Sequence, residues 1–322
     1  MPDVTTVREL CDRFSNWGRW GDDDQLGTLN HITPDCLIAA AQLVEKGKVI
    51  SLAAPFGDDG PQAGGGALGR FNPIHLMTRD GNDAAMGTTP RDFFGGRDGH
   101  FRSADDIVIM PLQCSTQWDG LAHVIFDDTM WNGKEASLVS SKGALVNAIS
   151  QLRAQVSGRG VLLDVARHNG VEWLQPGHAI GADELAACAD AQGVEVRRGD
   201  IVLVRTGQMA QVAAEGGWGS FAGGDAPGLG LDSASFFAER EVAALATDTW
   251  GMEVRPNETP DVFQPVHLVL IQAMGMTVGE IFDLEEAGAD CADDGVYEFF
   301  FCAPPIPFER AVASPINPQI FK

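Results

Sequence analysis

The run Asp200-Ile201-Val202-Leu203-Val204-Arg205-Thr206 sets the strongest limit on how this chain folds. Consecutive aliphatic residues between polar ends leave no face for water, so the run reads as a parallel-type strand covered on both faces. Gly160-Val161-Leu162-Leu163-Asp164-Val165 reads as a second buried strand, and Val242 to Asp248 as a third candidate. A helix opens at Ile180-Gly181-Ala182-Asp183, runs to Ala191 and is capped by Gly193. Upstream, Thr33 suits an N-cap and Pro34 the first helical position of a helix that stops near Gly47, followed by a strand over Val49–Leu52. Ala144 to Val156 reads as a helix, and so does His267 to Met274, which ends at Gly275. Ile107-Val108-Ile109-Met110 reads as a buried strand. Three long loops, 55–72, 79–104 and 216–230, separate these elements, and loops of that length are usually functional or poorly ordered. The tail from Pro304 onward carries five prolines and is expected to be extended.

No composition break marks a linker, so residues 1–322 are expected to form a single domain with extended N-terminal and C-terminal segments. The formal charge of −23 argues against nucleic acid and against an anionic membrane surface, which both reward Lys and Arg. No apolar run is long enough to span a membrane and the N-terminus lacks a signal-peptide pattern, so a cytoplasmic protein is expected. The six cysteines are scattered without C-x-x-C spacing and read as free thiols.

Chemistry concentrates in Gln113-Cys114-Ser115-Thr116-Gln117-Trp118-Asp119-Gly120-Leu121-Ala122-His123. In an extended chain Gln113, Ser115, Gln117 and Asp119 leave one face, with His123 in the same parity, while Cys114 faces the core. A buried polar row of this kind must be satisfied by a site or by hydrogen bonds. Asp119 and His123 lie four apart, and a carboxylate beside an imidazole suits general acid/base work. His267 and Glu280 form a second pair downstream. Among the seven histidines none has H-E-x-x-H spacing. No serine lies in G-x-S-x-G, and Gly64, Gly66 and Gly69 fit G-x-G-x-x-G without a preceding strand. Trp118 and Phe71 are candidate stacking residues, and Asn72 and His75 precede the site on a loop that could reach it.

The same stretch resembles the signature H-x-G-T-H-x-D-x-P-x-H of the cyclase family, which includes bacterial kynurenine formamidase and isatin hydrolase. Thr116, Asp119 and His123 match, while Gln113, Ser115, Gln117 and Leu121 depart. Trp20-Gly21, Asp24 to Asn30 and Ile32-Thr33-Pro34 resemble the opening of long family members. Gly160 to Asp164, Gly199 to Gly207 and Ala246-Thr247-Asp248 resemble later landmarks, and His267 with Gly279-Glu280 resembles the closing His and Glu. The resemblance implies an α/β fold of the swivelling β/β/α type, usually a homodimer or homotetramer. It implies a divalent metal, Zn or Mn, held by the first two motif histidines, the Asp, and the downstream His and Glu or Gln. The last motif His acts as general acid/base, and the reaction is hydrolysis of an amide, lactam or lactone.

Gln113 and Gln117 stand where the first two ligating histidines are expected, and a neutral amide oxygen is a weaker donor than imidazole. Three outcomes stay open. A metal is held weakly by Asp119, His267, Glu280 and Gln117. Or the site works with no metal, as a hydrolase or as a lyase, isomerase or cyclase, with His123 or His267 as base, Asp119 or Glu280 as partner, and Gln113 and Gln117 donating to substrate oxygen. Or the protein binds a small molecule without catalysis. The expected ligand is a small neutral or cationic carbonyl compound, contacted by Gln113, Gln117, Trp118, Phe71, Asn72 and His75.

Overall fold

The structure is a computed structural model and describes residues 2–87 and 102–322. In chain order its main strands are β1 (Val49–Ser51), β2 (Ile74–Arg79), β3 (Asp105–Ile109), β4 (Gln117–Asp119), β5 (Ser157–Asp164), β6 (Ile201–Arg205), β7 (Ala244–Thr247), β8 (Thr277–Glu280), β9 (Glu298–Cys302), β10 (Ala313–Pro315) and β11 (Gln319–Phe321). Nine of them form one sheet in the order β1-β11-β9-β5-β6-β7-β8-β4-β10. Its centre, β5 to β8, is parallel, as the apolar runs imply, and the flanking strands pair antiparallel. This is the mixed α/β fold that the sequence suggests.

The period of two divides the central strands between two cores. Val161, Leu163, Val202, Val204 and Leu245 face helices that include α1 (Ala182–Gln192) and α2 (Ser233–Glu239), through Leu185, Phe236 and Phe237. Leu162, Ile201, Leu203, Ala244 and Ala246 face a second core with Ile50, Trp118, Phe282, Phe299, Phe301 and Ile320. Strands from both ends of the sheet contribute to that second core, so the sheet is curled around it. The tail forces the curl. In a flat sheet the seven spacings between β11 and β10 would hold them roughly 34 Å apart. The chain from Pro315 to Gln319 spans at most about 15 Å. The seam is closed by Ala54 N donating to Thr116 Oγ1 at 2.8 Å and by Ile316 N donating to the Thr116 carbonyl at 3.1 Å. The proline-rich tail therefore completes the sheet. Leu203→Ala, in the middle of β6, is expected to lower stability by about 2–5 kcal/mol in chemical denaturation.

Three local expectations are corrected. Residues 144–156 form no α-helix. Gly143–Ala144 pairs with Val139–Ser140, Asn147 and Val156 have φ of 58° and 60°, and only Ile149–Leu152 makes a 3₁₀ turn. Tertiary bonds, such as Asn147 Nδ2 to the Trp131 carbonyl at 3.0 Å, override the helical composition there. Second, Ile107–Met110 does contribute a strand, β3, but it pairs with β2 alone and is exposed along its length. An apolar run is buried only if the fold supplies cover, and the described residues supply none over Ile74, Leu76, Ile107 and Ile109. Third, the helix from Pro34 ends at Ala41, short of Gly47. Its start is as expected, with Thr33 Oγ1 accepting from Cys36 N. Most of loop 79–104 lies outside the described residues.

Candidate active site

The site lies at the carboxyl end of β8, where open parallel strands commonly present ligand-binding groups. Register aligns Gln117 with Glu280, Trp118 with Gly279 and Asp119 with Val278. Alternation then sends Gln117, Asp119 and Glu280 to one face and Trp118 to the other. Gln117 Nε2 donates to Glu280 Oε2 at 3.0 Å. Extension stops at Gly120, where a turn brings His123 N to the Gly120 carbonyl at 3.0 Å. The turn folds His123 back, so that Nε2 lies 3.7 Å from Asp119 Oδ2 and Nδ1 lies 3.4 Å from the Gln113 side-chain amide.

His267 arrives from the opposite wall, at the end of the short helix Pro265–His267, which continues as a π-helix over Leu268–Ala273. Helical structure over His267–Met274 and its stop at Gly275 are as read from the sequence. Wide turns of this kind often accompany functional positions. Glu253 fixes the ring: its Oε1 lies 2.6 Å from Nδ1 and also accepts from His267 N at 3.1 Å, while Oε2 accepts from Val266 N at 3.2 Å. The other ring nitrogen, Nε2, lies 3.0 Å from Glu280 Oε1, which also accepts from Met252 N. Burial pushes the His267 imidazole down, but the two carboxylates outweigh it and hold it charged up to about pH 10. Burial pushes Glu280 up, and His267 more than reverses this, leaving the carboxyl below its usual range. Asp119 moves upward because its burial exceeds the help of His123.

Asp119, His267 and Glu280 each offer one ligating atom within 4.8 Å of the others. Both carboxylate oxygens of Asp119 and Oε1 of Gln117 are buried acceptors without a donor among the described residues. Such atoms are costly unless something satisfies them, and a cation does so without supplying hydrogens. The residues therefore fit a divalent cation. Glu253 behaves as the outer carboxylate that commonly orients a ligating histidine.

Trp118 does not line this pocket. Its ring is fully buried on the opposite face, against Phe282 and Phe301, and its indole N–H donates to the Ala303 carbonyl at 2.8 Å. Gly279 makes room for it, since a Cβ there would lie 2.7 Å from the indole. Asn72 is a clasp within its loop: Oδ1 accepts from Gln62 N, and Nδ2 donates to the Asp58 and Gly60 carbonyls. His75 is on the exposed ribbon, 2.9 Å from Asp106, and borders an apolar groove of about 510 Å³ with Phe56, Val108 and Ile306. Phe71 is exposed beside Arg70. Cys114 is buried, as its parity implies, and burial pushes its thiol up to about 11. Glu253, Arg70 and Trp250 were not singled out in the sequence.

Residues 38–254 match the Cyclase family model, described as "Putative cyclase". A crystal structure of a novel cyclase is 36% identical to this chain, covers 96% of it and 100% of its own length, and superposes with a TM-score of 0.87. Isatin hydrolase A from Ralstonia solanacearum is 16% identical, with 89% and 97% of the two chains covered and a TM-score of 0.60. Isatin hydrolase A from Labrenzia aggregata, bound to benzyl benzoate, is 14% identical, with 85% and 93% covered and a TM-score of 0.58. At those identities the likeness is one of fold. No curated protein matches the chain. With a signature stretch that lies at a buried His-carboxylate pocket, and with this match over most of its length, the chain belongs to the cyclase family.

Proposed function

We propose that the protein hydrolyses an amide, lactam or lactone bond of a small carbonyl compound. The observation that carries this reading is the set of unsatisfied buried acceptors on Asp119 and Gln117, beside His267 and Glu280. A donor set of hard oxygens with a single imidazole suits Mn better than Zn. When bound, such an ion would polarise the substrate carbonyl and acidify water. His123 is only partly buried, and its Nε2 is directed toward Asp119, which suits it to take a proton from water and return it to the leaving group. The Gln113 amide nitrogen lies 3.4 Å from Nδ1 and helps hold the ring in this orientation. Asp119 orients the attacking water, and Glu280 and Glu253 hold His267 in place.

A second reading, proton transfer without metal in a lyase, isomerase or cyclase reaction, is favoured by Gln113 and Gln117 in place of imidazoles. Titration with Mn²⁺ separates the two. The hydrolytic reading expects one ion per chain, weakened at least tenfold in Asp119→Asn, together with turnover of an amide or lactone panel that chelation stops. Turnover undiminished after chelation would overturn the metal. A homodimer or homotetramer is supported by the aliphatic face of the β2–β3 ribbon, which the described residues leave uncovered, since a two-stranded ribbon is marginal in water without cover. Among the described residues no helix is long and apolar enough to cross a membrane.

A further inference from the structure

The net charge of −23 would by itself turn anionic ligands away, yet one arginine near the acidic site has no ion-pair partner among the described residues. Arg70 is half-buried, with its guanidinium 5.1 Å from the centroid of the buried Trp250 ring. Among the described residues no carboxylate lies within ion-pair distance of it, whereas Arg8, Arg19, Arg159, Arg167, Arg197, Arg198 and Arg205 all have one. Its charge is nevertheless felt at both Asp119 and Glu280, where it favours the ionised carboxylates. The Trp250 ring packs in one buried cluster with Ile281, which adjoins Glu280 and so places the Arg70 contact near the site.

The loop that presents Arg70 is pinned. Gly66, at φ 67°, turns the chain where a side chain would meet the Arg70 carbonyl at 1.9 Å. Arg70 N donates to the Ala67 carbonyl at 3.0 Å. The Gln62 side chain donates to the Cys114 carbonyl at 3.0 Å and accepts from the Trp250 indole at 3.4 Å, tying the loop to both the signature stretch and the stacking ring. A guanidinium held over an aromatic ring spends no N–H on a hydrogen bond to it, and its N–H edge matches a carboxylate with two parallel hydrogen bonds.

We propose that Arg70 is the anion-recognising residue of this pocket and that the substrate carries a carboxylate which it binds. The inference deepens the hydrolytic reading and rests on it for the pocket being catalytic. Specificity then comes from the fork of the guanidinium: an uncharged analogue forgoes the ion pair and its two parallel hydrogen bonds. The carboxylate meant is one the substrate already has, separate from the acid that hydrolysis releases.

The test is binding of benzoate and benzamide, a matched charged and uncharged pair, by calorimetry to metal-free full-length protein. Benzoate is expected to bind at least tenfold more tightly than benzamide. Arg70→Gln is expected to weaken benzoate about tenfold to a hundredfold, leave benzamide unchanged and leave the melting temperature within a degree or two. Arg70→Lys, which keeps the charge and loses the fork, should fall between. Equal binding of benzoate by wild type and Arg70→Gln, or no benzoate preference in wild type, would overturn the proposal. Because no turnover is required, this result is independent of whether the chain hydrolyses anything. For any amide that is turned over, the kinetic counterpart is a raised KM with little change in kcat for its carboxylated form alone.

Discussion

Asp119→Asn is expected to lower turnover of a hydrolysed substrate by about a thousandfold and to weaken Mn²⁺ binding at least tenfold, with the fold intact. Both Asp119 oxygens lie buried without a donor, so the carboxylate is not a structural hydrogen-bonding group among the described residues. Asparagine is nearly isosteric, removes the charge and brings an N–H₂ to a place crowded with acceptors. A general acid/base or ligating group of this kind is typically worth hundreds to thousands in rate. Removing a buried charge costs little stability here, because burial already pushes the Asp119 carboxyl upward. The melting temperature is therefore expected to hold or rise. Unchanged kcat in this variant would remove Asp119 from the chemistry.

Glu253→Ala should act in the opposite sense on stability. It strips the acceptor from His267 Nδ1 and from the backbone N–H groups of Val266 and His267, all in a buried setting. Leaving one partner of a buried charged network unpaired costs about 3–5 kcal/mol, and losing the carboxylate behind a ligating histidine weakens a metal roughly 10–100-fold. Glu253→Gln keeps the acceptor and loses the charge, so it should fall between. The pH dependence follows from the same pair. His267 is held charged up to about 10 in the fold, against about 6.5 in the unfolded chain. Its stabilisation is fully present below about pH 6.5 and is lost as pH rises through about 10. Metal-free wild type should thus melt at steadily lower temperature across that range, and Glu253→Ala should flatten the slope. A wild-type melting temperature constant over that window would show that His267 is not held charged.

What the sequence by itself determined is the parallel centre and the chemical roster. Val161 to Leu163, Val202 to Val204 and Leu245 to Ala246 are apolar on both faces, as strands covered on both sides usually are. Asp119, His123, His267 and Glu280 were readable because the family signature and its closing pair name residue types at fixed spacing. Burial and partnership were settled by the tertiary structure. Trp118 and Asp119 are neighbours in sequence, yet alternation in β4 sends one ring into the core and the other side chain to the pocket. Ile107 and Val108 are as apolar as Val202 and Leu203, but no element among the described residues covers them. Glu253, Arg70 and Trp250 carry no local pattern, because their partners lie across the fold and contact across that distance leaves no periodicity in the chain. The Gln113–His123 stretch has its meaning for the same reason: Gln117 meets Glu280 only because β4 lies antiparallel beside β8.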